Sequence, residues 1–339
     1  MSAQIGRVRM TVALFTLGGT IAMAGHGGAV GAPGGVVARL SAADLVAAVP
    51  QLAGESLEVY DLDAVPSADL TFGRVLGVVE AAGAAIAGGA AGVVVTQGTD
   101  TLEECAYLVD LVWPYAEPFV LTGAMRNPTL AGPDGPANLL AAVRVAAAPA
   151  ARDLGALVVM DDQVHAARFV RKAHSTATGA FSSPDAGPIG HVIEGVVRVL
   201  AAPPRRATLR PPAAEPLDAC RVALHTCTLD DDGLLLRHLP DTHHGLVVAG
   251  YGVGHVPGRL APVLGDLAGR IPVVLTSRTG AGSVLAGTYG AVGSETDLLR
   301  RGLISGGLLH PYQARVLLRL LLAAGADGDH VAAAFAGYG

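Results

Sequence analysis

The sequence is most constrained near its start, where an apolar, β-branched run ends abruptly on two glycines. The run Thr11–Phe15 is typical of a buried parallel strand, and Gly18, Gly19 and Thr20 follow it almost at once. Glycines at a strand end leave backbone N–H groups free and let a ligand approach the main chain. Ligands of open α/β sheets collect at the carboxyl ends of the strands, so we expect Thr20 to lie at a binding site.

A second stretch repeats this arrangement. Gly92–Thr96 is predicted to be a buried strand, and Gly98, Thr99 and Asp100 follow it before a segment of helical spacing, Leu102–Leu111. Both strand ends offer a glycine and then a threonine. We therefore expect the two ends to face one another across a single crevice.

The pattern of strand, loop and helix continues through the first two hundred residues, which predicts right-handed crossovers and a parallel sheet. Further strands are predicted at Leu57–Leu62, Phe119–Thr122 and Leu157–Met160, and helices from Ser41 to about Val49, after a cap at Pro66–Asp69, and from Gly132 to about Ala148. The fold class predicted for the chain is α/β, with a larger N-terminal domain whose mostly parallel sheet is flanked by helices.

At 339 residues the chain is longer than one hydrophobic core usually supports, so we expect two domains. A stretch rich in Pro, Ala and Arg, AAPPRRATLRPPAAEP, is typical of a semi-rigid connector without regular structure. We predict a catalytic α/β domain at residues 1–202, a Pro-rich linker at 203–218, and a smaller α/β domain of three or four strands at 219–339. The strands predicted in the smaller domain are Arg221–Thr226, Gly245–Ala249 and Ile271–Thr276.

Composition excludes several classes of function. The net charge is −6 and no basic stripe is present, so nucleic acid is not expected as a partner. The three cysteines form no CxxC pair, which favours a reducing compartment. The first apolar run lacks the layout of a signal peptide and is shorter than the roughly 20 residues of a membrane span. These features predict a cytoplasmic protein that does not bind membranes.

The chemistry available at the two strand ends is that of a hydroxyl nucleophile. Thr20 and Thr99 are weak nucleophiles that need a neighbouring base to attack a carbonyl group. Lys172, in its neutral form, is a candidate base for Thr99, and Asp100 either orients Lys172 or binds a substrate ammonium group. The N–H groups of Gly19 or Gly98 could stabilise the developing oxyanion.

Several motifs, in order along nearly the whole chain, resemble the bacterial-type L-asparaginase (asparaginase/glutaminase) family. They are TLGGTIAM from Thr16, VVVTQGTDTLEECAY from Val93, LTGAMR from Leu121, DGPANL from Asp134, SRTGAG from Ser277 and GGLLHPYQARVLL from Gly306. The resemblance implies hydrolysis of L-asparagine to L-aspartate and ammonia through an acyl-enzyme, with neither metal nor other cofactor. Thr20 matches the primary nucleophile, and Thr99, Asp100 and Lys172 match the second threonine, the aspartate and the lysine.

The resemblance also implies a homotetramer in which the smaller domain of a partner completes each site. Pro33 stands where the family often has a lid tyrosine, and His255 stands where a partner asparagine is usual. We hypothesise that Tyr289 supplies part of what the lid tyrosine provides. The substrate-binding residues proposed from the sequence are Gly19, Gly98, Asp63, Ser67, Ala124, Tyr289 and Glu295.

Two alternatives stay open at the level of sequence. The chain could be an amidase for glutamine or another amino-acid amide, because the match at the carboxylate-binding positions is weak. It could also be a metabolite-binding homologue with little activity, since the lid tyrosine is absent. No metal site is expected, because Asp230–Gly233 lacks the alternating ligands of a calcium loop and His243–His244 lacks zinc-protease spacing.

Overall fold

The computed structural model describes residues 10–25, 36–38, 40–62 and 64–339. Asp63 and Pro33 lie outside the described residues. The chain divides into two compact units, one ending at Thr208 and the other spanning Leu209–Gly339. This division falls within the stretch predicted to be a linker.

The first unit alternates strands and helices over most of its length. In chain order its described strands are β1 (Thr11–Thr16), β2 (Met23–Gly25), β3 (Val36–Ala38), β4 (Ser56–Asp61), β5 (Gly92–Thr96), β6 (Phe119–Thr122), β7 (Ala156–Met160), β8 (Gln163–Ala166), β9 (Arg171–Lys172), β10 (Phe181–Ser182), β11 (Gly190–Ile193) and β12 (Val196–Val199). Its described helices are α1 (Ala42–Ala47), α2 (Phe72–Ala87), α3 (Leu102–Val112) and α4 (Gly135–Ala146).

Eight of these strands form one sheet in the order β12-β11-β8-β7-β6-β5-β1-β4. The pairs β4–β1, β1–β5, β5–β6 and β6–β7 are parallel, which confirms the predicted mostly parallel sheet. From β1 the chain crosses to β4 on one side, whereas from β5 it continues to β6 on the other. The crevice between β1 and β5 is therefore the topological switch point, where ligands of such sheets bind.

The sheet is covered by helices that bury small aliphatic side chains. Val94 and Val120 of the central strands belong to a fully buried cluster with Leu139 and Val143 of α4. Helices α2 and α3 pack against one another and against β5 and β7, respectively. Successive side chains of a strand point to opposite faces of the sheet, and every residue of β5, β6 and β7 is buried, so both faces of these strands are covered. Strand β4, at the edge of the sheet, is partly exposed.

Aromatic residues pack against one another at the C-terminal end of α3. Trp113 follows the helix directly, and its side chain is fully buried. The indole Nε1 donates a hydrogen bond of 2.7 Å to the carbonyl oxygen of Glu117, and the ring meets Phe119 edge-on at a centroid distance of 5.0 Å. The polar atom of the tryptophan is thus satisfied inside the core.

One of the two helix caps predicted from the sequence is observed, and the other is not. Ser41 caps α1 through a reciprocal capping box with Asp44, as its Ser-x-x-Asp spacing indicates. The prediction that Pro66–Asp69 caps the following long helix is wrong, because the Thr71 side chain accepts the Arg74 N–H and caps α2. Residues Ser67–Asp69 instead form a separate 3₁₀ turn.

The second unit has its own parallel sheet, in the order β13-β14-β15-β16. Its strands are β13 (Val222–Thr226), β14 (Gly245–Gly250), β15 (Val273–Ser277) and β16 (Ile304–Ser305), and its helices are α5 (Ala214–Ala219), α6 (Leu260–Ala268), α7 (Glu295–Arg300), α8 (Pro311–Ala323) and α9 (Gly328–Tyr338). The predicted smaller α/β domain is confirmed. Helix α5 overlaps the stretch predicted to lack regular structure; Pro216 is tolerated there because it lies in the first turn. Within the described residues, the helices are too short or too polar to cross a bilayer.

Candidate active site

The loops that follow β1 and β5 touch one another with no side chain between them. Gly19 has φ +85°, and a Cβ added there would lie 2.2 Å from the backbone nitrogen of Gly98. The loops are also joined through the Leu17 N–H, which donates to the Thr96 carbonyl oxygen at 2.9 Å. Only glycine fits at Gly19, because both its conformation and its surroundings exclude a Cβ.

Behind β5, Ser67 packs against the second of these loops. A Cβ added to Gly98 would lie 2.5 Å from the Ser67 hydroxyl oxygen. Ser67 is 3% exposed, and its hydroxyl donates to Asp100 Oδ2 at 3.2 Å while accepting the Asp100 N–H at 3.2 Å. The 3₁₀ turn that replaces the expected helix cap therefore holds Ser67 against Asp100.

The structure brings Lys172 into contact with two polar residues of the loop that follows β5. Lys172 Nζ lies 2.9 Å from Thr99 Oγ1 and 3.1 Å from Asp100 Oδ1. The lysine side chain is 17% exposed, whereas that of Asp100 is 70% exposed. Thr99 is buried. An amine thus contacts a buried hydroxyl, while the neighbouring carboxylate keeps much of its surface open to a ligand.

Thr20 lies at the other side of the crevice. It is half-buried and begins a 3₁₀ turn, Thr20–Ala22, whose last two residues are buried. The Ala22 N–H closes the turn on the Gly19 carbonyl oxygen at 3.0 Å. Ala124 follows β6 closely, and its methyl group packs into the core at 1% exposure, so its backbone is the part that can meet a ligand.

Lys172 is the only lysine in the chain, and every other strongly basic side chain is an arginine. Lysine can lose its proton when a site lowers its pKa, whereas arginine stays charged in proteins. A count of lysines would therefore have pointed to this residue before any motif was considered.

Glu103 is a buried carboxylate beside this cluster that sequence analysis did not single out. It is 7% exposed in the first turn of α3. Burial raises its pKa to about 7, although Arg171, the backbone N–H of Lys172 and the charge of Lys172 act in the opposite direction. An acidic residue at a helix start is usual, so its type and position gave no signal.

Glu295 and Tyr289, also predicted as site residues, lie in the second unit. Glu295 is fully buried, and its Oε1 accepts the N–H groups of Thr288 and Tyr289 at 2.9 and 2.6 Å. Burial disfavours its charged form, but these bonds and one from His255 Nε2 at 3.1 Å hold its pKa below the usual value. Tyr289 is 49% exposed, and its ring meets His255 edge-on.

Among the described residues, one group of side chains has the composition of a metal site, in the second unit: His225, Cys227 and Asp231. His225 Nε2 and Asp231 Oδ2 are hydrogen-bonded at 2.7 Å, and Asp231 Oδ1 accepts the Gly233 N–H at 3.0 Å. Burial, with a contribution from Asp231, raises the pKa of the Cys227 thiol to about 12. We interpret the hydrogen bonds of Asp231 with His225 and Gly233 as contacts that stabilise the turn after β13.

Comparison with known proteins matches the chain to one family over most of its length. The family model "Asparaginase, N-terminal" matches residues 11–205, and "Glutaminase/Asparaginase C-terminal domain" matches residues 221–335. A probable L-asparaginase of Deinococcus radiodurans is 38% identical over 254 residues, covering 74% of this chain and 76% of the relative. The L-asparaginase of Bacillus licheniformis is 32% identical over 321 residues, covering 94% of this chain and 97% of the relative.

The fold is shared with a solved relative as well. The crystal structure of a probable cytoplasmic L-asparaginase from Campylobacter jejuni superposes with a TM-score of 0.86 at 32% identity. The match covers 97% of this chain and 100% of that one. The chain belongs to the asparaginase family and is an asparaginase-like amidohydrolase.

Proposed function

We propose that the protein hydrolyses the side-chain amide of L-asparagine to L-aspartate and ammonia through a threonine-bound acyl-enzyme. The observation that carries this proposal is the 2.9 Å contact between Lys172 Nζ and Thr99 Oγ1 at the crevice of the parallel sheet. The relatives reported above are named L-asparaginases, which supports asparagine as the substrate.

In the proposed reaction Thr20 is the nucleophile. Its Oγ1 forms a bond to the amide carbon, the carbon–nitrogen bond breaks, and ammonia leaves with a proton. Water then hydrolyses the ester, which releases aspartate and restores the Thr20 hydroxyl. Thr99 and Lys172 move the proton between hydroxyl and leaving group, a role that requires an amine able to be neutral.

Recognition of the substrate is assigned to groups around the same crevice. The exposed carboxylate of Asp100, fixed by Ser67 and Lys172, would bind the substrate's α-amino group. The N–H groups of Gly19 and Gly98 would stabilise the oxyanion, and loss of one such donor typically costs about 10²–10³ in rate. The backbone of Ala124 and the side chains of Ser67 and Asp63 remain proposed contacts for the rest of the substrate.

The oligomer and the compartment are also proposals. We propose a homotetramer in which the smaller domain of a second copy completes each site, as the family resemblance implies. Our own hypothesis is that the half-exposed Tyr289 supplies part of this contribution and that the fully buried Glu295 holds the Tyr289 backbone in place. Size-exclusion chromatography with light scattering tests the tetramer, and a monomer with full activity would contradict it. A cytoplasmic location stays a prediction from cysteine usage.

The function is tested by measuring ammonia release from L-asparagine, with L-glutamine in parallel. We expect the purified protein to turn over asparagine, and Thr20→Ala and Lys172→Met to abolish turnover without lowering the melting temperature by more than a few degrees. Thr242→Ala, which removes a threonine hydroxyl from the second unit, is the matched control and should keep wild-type activity. A folded wild-type protein that releases no ammonia from asparagine would refute the proposal.

A further inference from the structure

The backbone of Lys172 lies in a structure too small to hold it alone. Strand β9 consists of Arg171 and Lys172 and pairs antiparallel with the equally short β10, Phe181–Ser182. An isolated two-stranded ladder of this size is at best marginally stable in water. Additional contacts must therefore fix the point from which the Lys172 side chain reaches the site.

The register of this ladder decides where the Lys172 N–H points. The Ala173 N–H donates to the Ala180 carbonyl oxygen at 2.7 Å, so the next pair, Lys172 with Phe181, is the non-hydrogen-bonded one. In such a pair the backbone groups of each residue face away from the partner strand. The Lys172 N–H is thus directed away from β10, and the carboxylate of Glu103 accepts it.

Glu103 belongs to the same short segment as the groups that hold the lysine's other end. Helix α3, which carries Glu103, packs against β9. Two residues before this helix begins, Asp100 contacts Lys172 Nζ, and Thr99 precedes it. One segment of chain therefore holds Lys172 at both ends, by its backbone N–H and by its ammonium group.

From this geometry we propose that Glu103 is a positioning residue, which fixes the Lys172 backbone so that its amine meets the Thr99 hydroxyl. The inference deepens the proposed amidase function and rests on it. A carboxylate in the first turn of a helix could instead only stabilise the helix dipole. Glu104 occupies the same turn, so Glu104→Ala is the matched control for that purely structural role.

The first test compares kcat and KM for asparagine in four proteins: wild type, Glu103→Ala, Glu103→Gln and Glu104→Ala. Glu103→Ala loses the acceptor, and we expect kcat to fall about 10²-fold with KM nearly unchanged, because a shift of about 1 Å at a catalytic group has that cost. Glu103→Gln keeps an amide oxygen that accepts the same N–H, so we expect most of the rate to return. Glu104→Ala should match wild type.

The second test does not depend on turnover. Because Lys172 is the only lysine, reductive methylation with ¹³C-formaldehyde gives a single lysine resonance besides that of the amino terminus. We expect Glu103→Ala to move this resonance toward that of free dimethyl-lysine, and Glu103→Gln and Glu104→Ala to leave it in place. If Glu103→Ala does not fold, Glu103→Asp replaces it, because it withdraws the carboxylate by one methylene group.

The proposal is overturned if folded Glu103→Ala, or Glu103→Asp in its place, keeps both the wild-type kcat and the wild-type resonance. It is equally overturned if Glu104→Ala lowers kcat as much as Glu103→Ala does. A wild-type protein that releases no ammonia from amino-acid amides would refute the proposed function alone, since the resonance comparison would still decide whether Glu103 holds Lys172.

Discussion

Replacing Gly19 by alanine should separate the two loops that form the crevice. The added Cβ would lie 2.2 Å from the Gly98 nitrogen, whereas ordinary van der Waals contact begins at 3.4 Å, so the loops must part by about 1 Å. Thr20 follows Gly19 directly, and Thr99 follows Gly98. A displacement of this size between groups that act together is expected to lower kcat by about 10²-fold.

The same substitution should also destabilise the first unit. Gly19 has φ +85° and ψ −177°, a combination that is essentially restricted to glycine. Backbone strain of about 1–3 kcal/mol and crowding of about 1–3 kcal/mol together give a loss of about 2–6 kcal/mol. For a unit of this size each kcal/mol lowers the melting temperature by about 2–4 °C, so the fall should exceed about 4 °C.

The assays are ammonia release from asparagine and thermal unfolding, with Gly77→Ala as the matched control. Gly77 is exposed within α2, and a Cβ there would meet no atom within 4 Å. Alanine is favoured over glycine in a helix by up to about 1 kcal/mol, so this control should be slightly more stable and fully active. A Gly19→Ala protein with wild-type kcat and melting temperature would refute the close-contact argument.

Three further predictions follow from individual contacts. Lys172→Arg keeps the charge but cannot supply a neutral amine, so kcat for ammonia release should fall by about 10²–10⁴; retention of a tenth of the rate would contradict the proposed proton transfer. Ser67→Ala removes both hydrogen bonds between Ser67 and Asp100, and KM for asparagine should rise about tenfold while kcat changes less; an unchanged KM would show that Ser67 does not support substrate binding. His165 is 1% exposed, and burial lowers its pKa from 6.5 to about 4. As the pH falls through this range, His165 takes up a proton in the unfolded chain but stays neutral in the folded one. The free energy of unfolding should therefore fall by about 3 kcal/mol between pH 7 and pH 4. Urea titrations of wild type, His165→Asn and the exposed-residue control His238→Asn test this, and an undiminished slope in His165→Asn would exclude His165 as its source.

The central parallel strands could be predicted because each carries its own signal. The interiors of Thr11–Thr16 and Gly92–Thr96 are apolar and a glycine-containing turn follows each strand, so burial on both faces could be predicted from the sequence. The antiparallel extension of the sheet was not predicted. Strands β11 and β12 are four residues long; β11 buries only every second residue and β12 buries none, so their structure depends on pairing rather than on local sequence.

The candidate active site also contains some residues that could be predicted from the sequence and one that could not. Thr99, Asp100 and Lys172 were predicted together from their chemistry and from the family resemblance, and the structure brings them into contact. The role proposed for Glu103 depends on the register of a two-residue ladder distant in sequence, which no local pattern encodes. Thr71 was missed as the cap of α2 because the Pro-Ser-Ala-Asp run before it has the composition of a cap and forms a separate turn.

The buried indole of Trp113 has a practical consequence for experiments on the whole molecule. It is the only tryptophan, and it lies in the first unit. Its fluorescence therefore reports the unfolding of that unit alone, whereas far-ultraviolet circular dichroism follows the helices of both. If the two signals give one midpoint, the units unfold as a single cooperative system. Two midpoints would instead separate the stability of the site-bearing unit from that of its neighbour without cutting the chain.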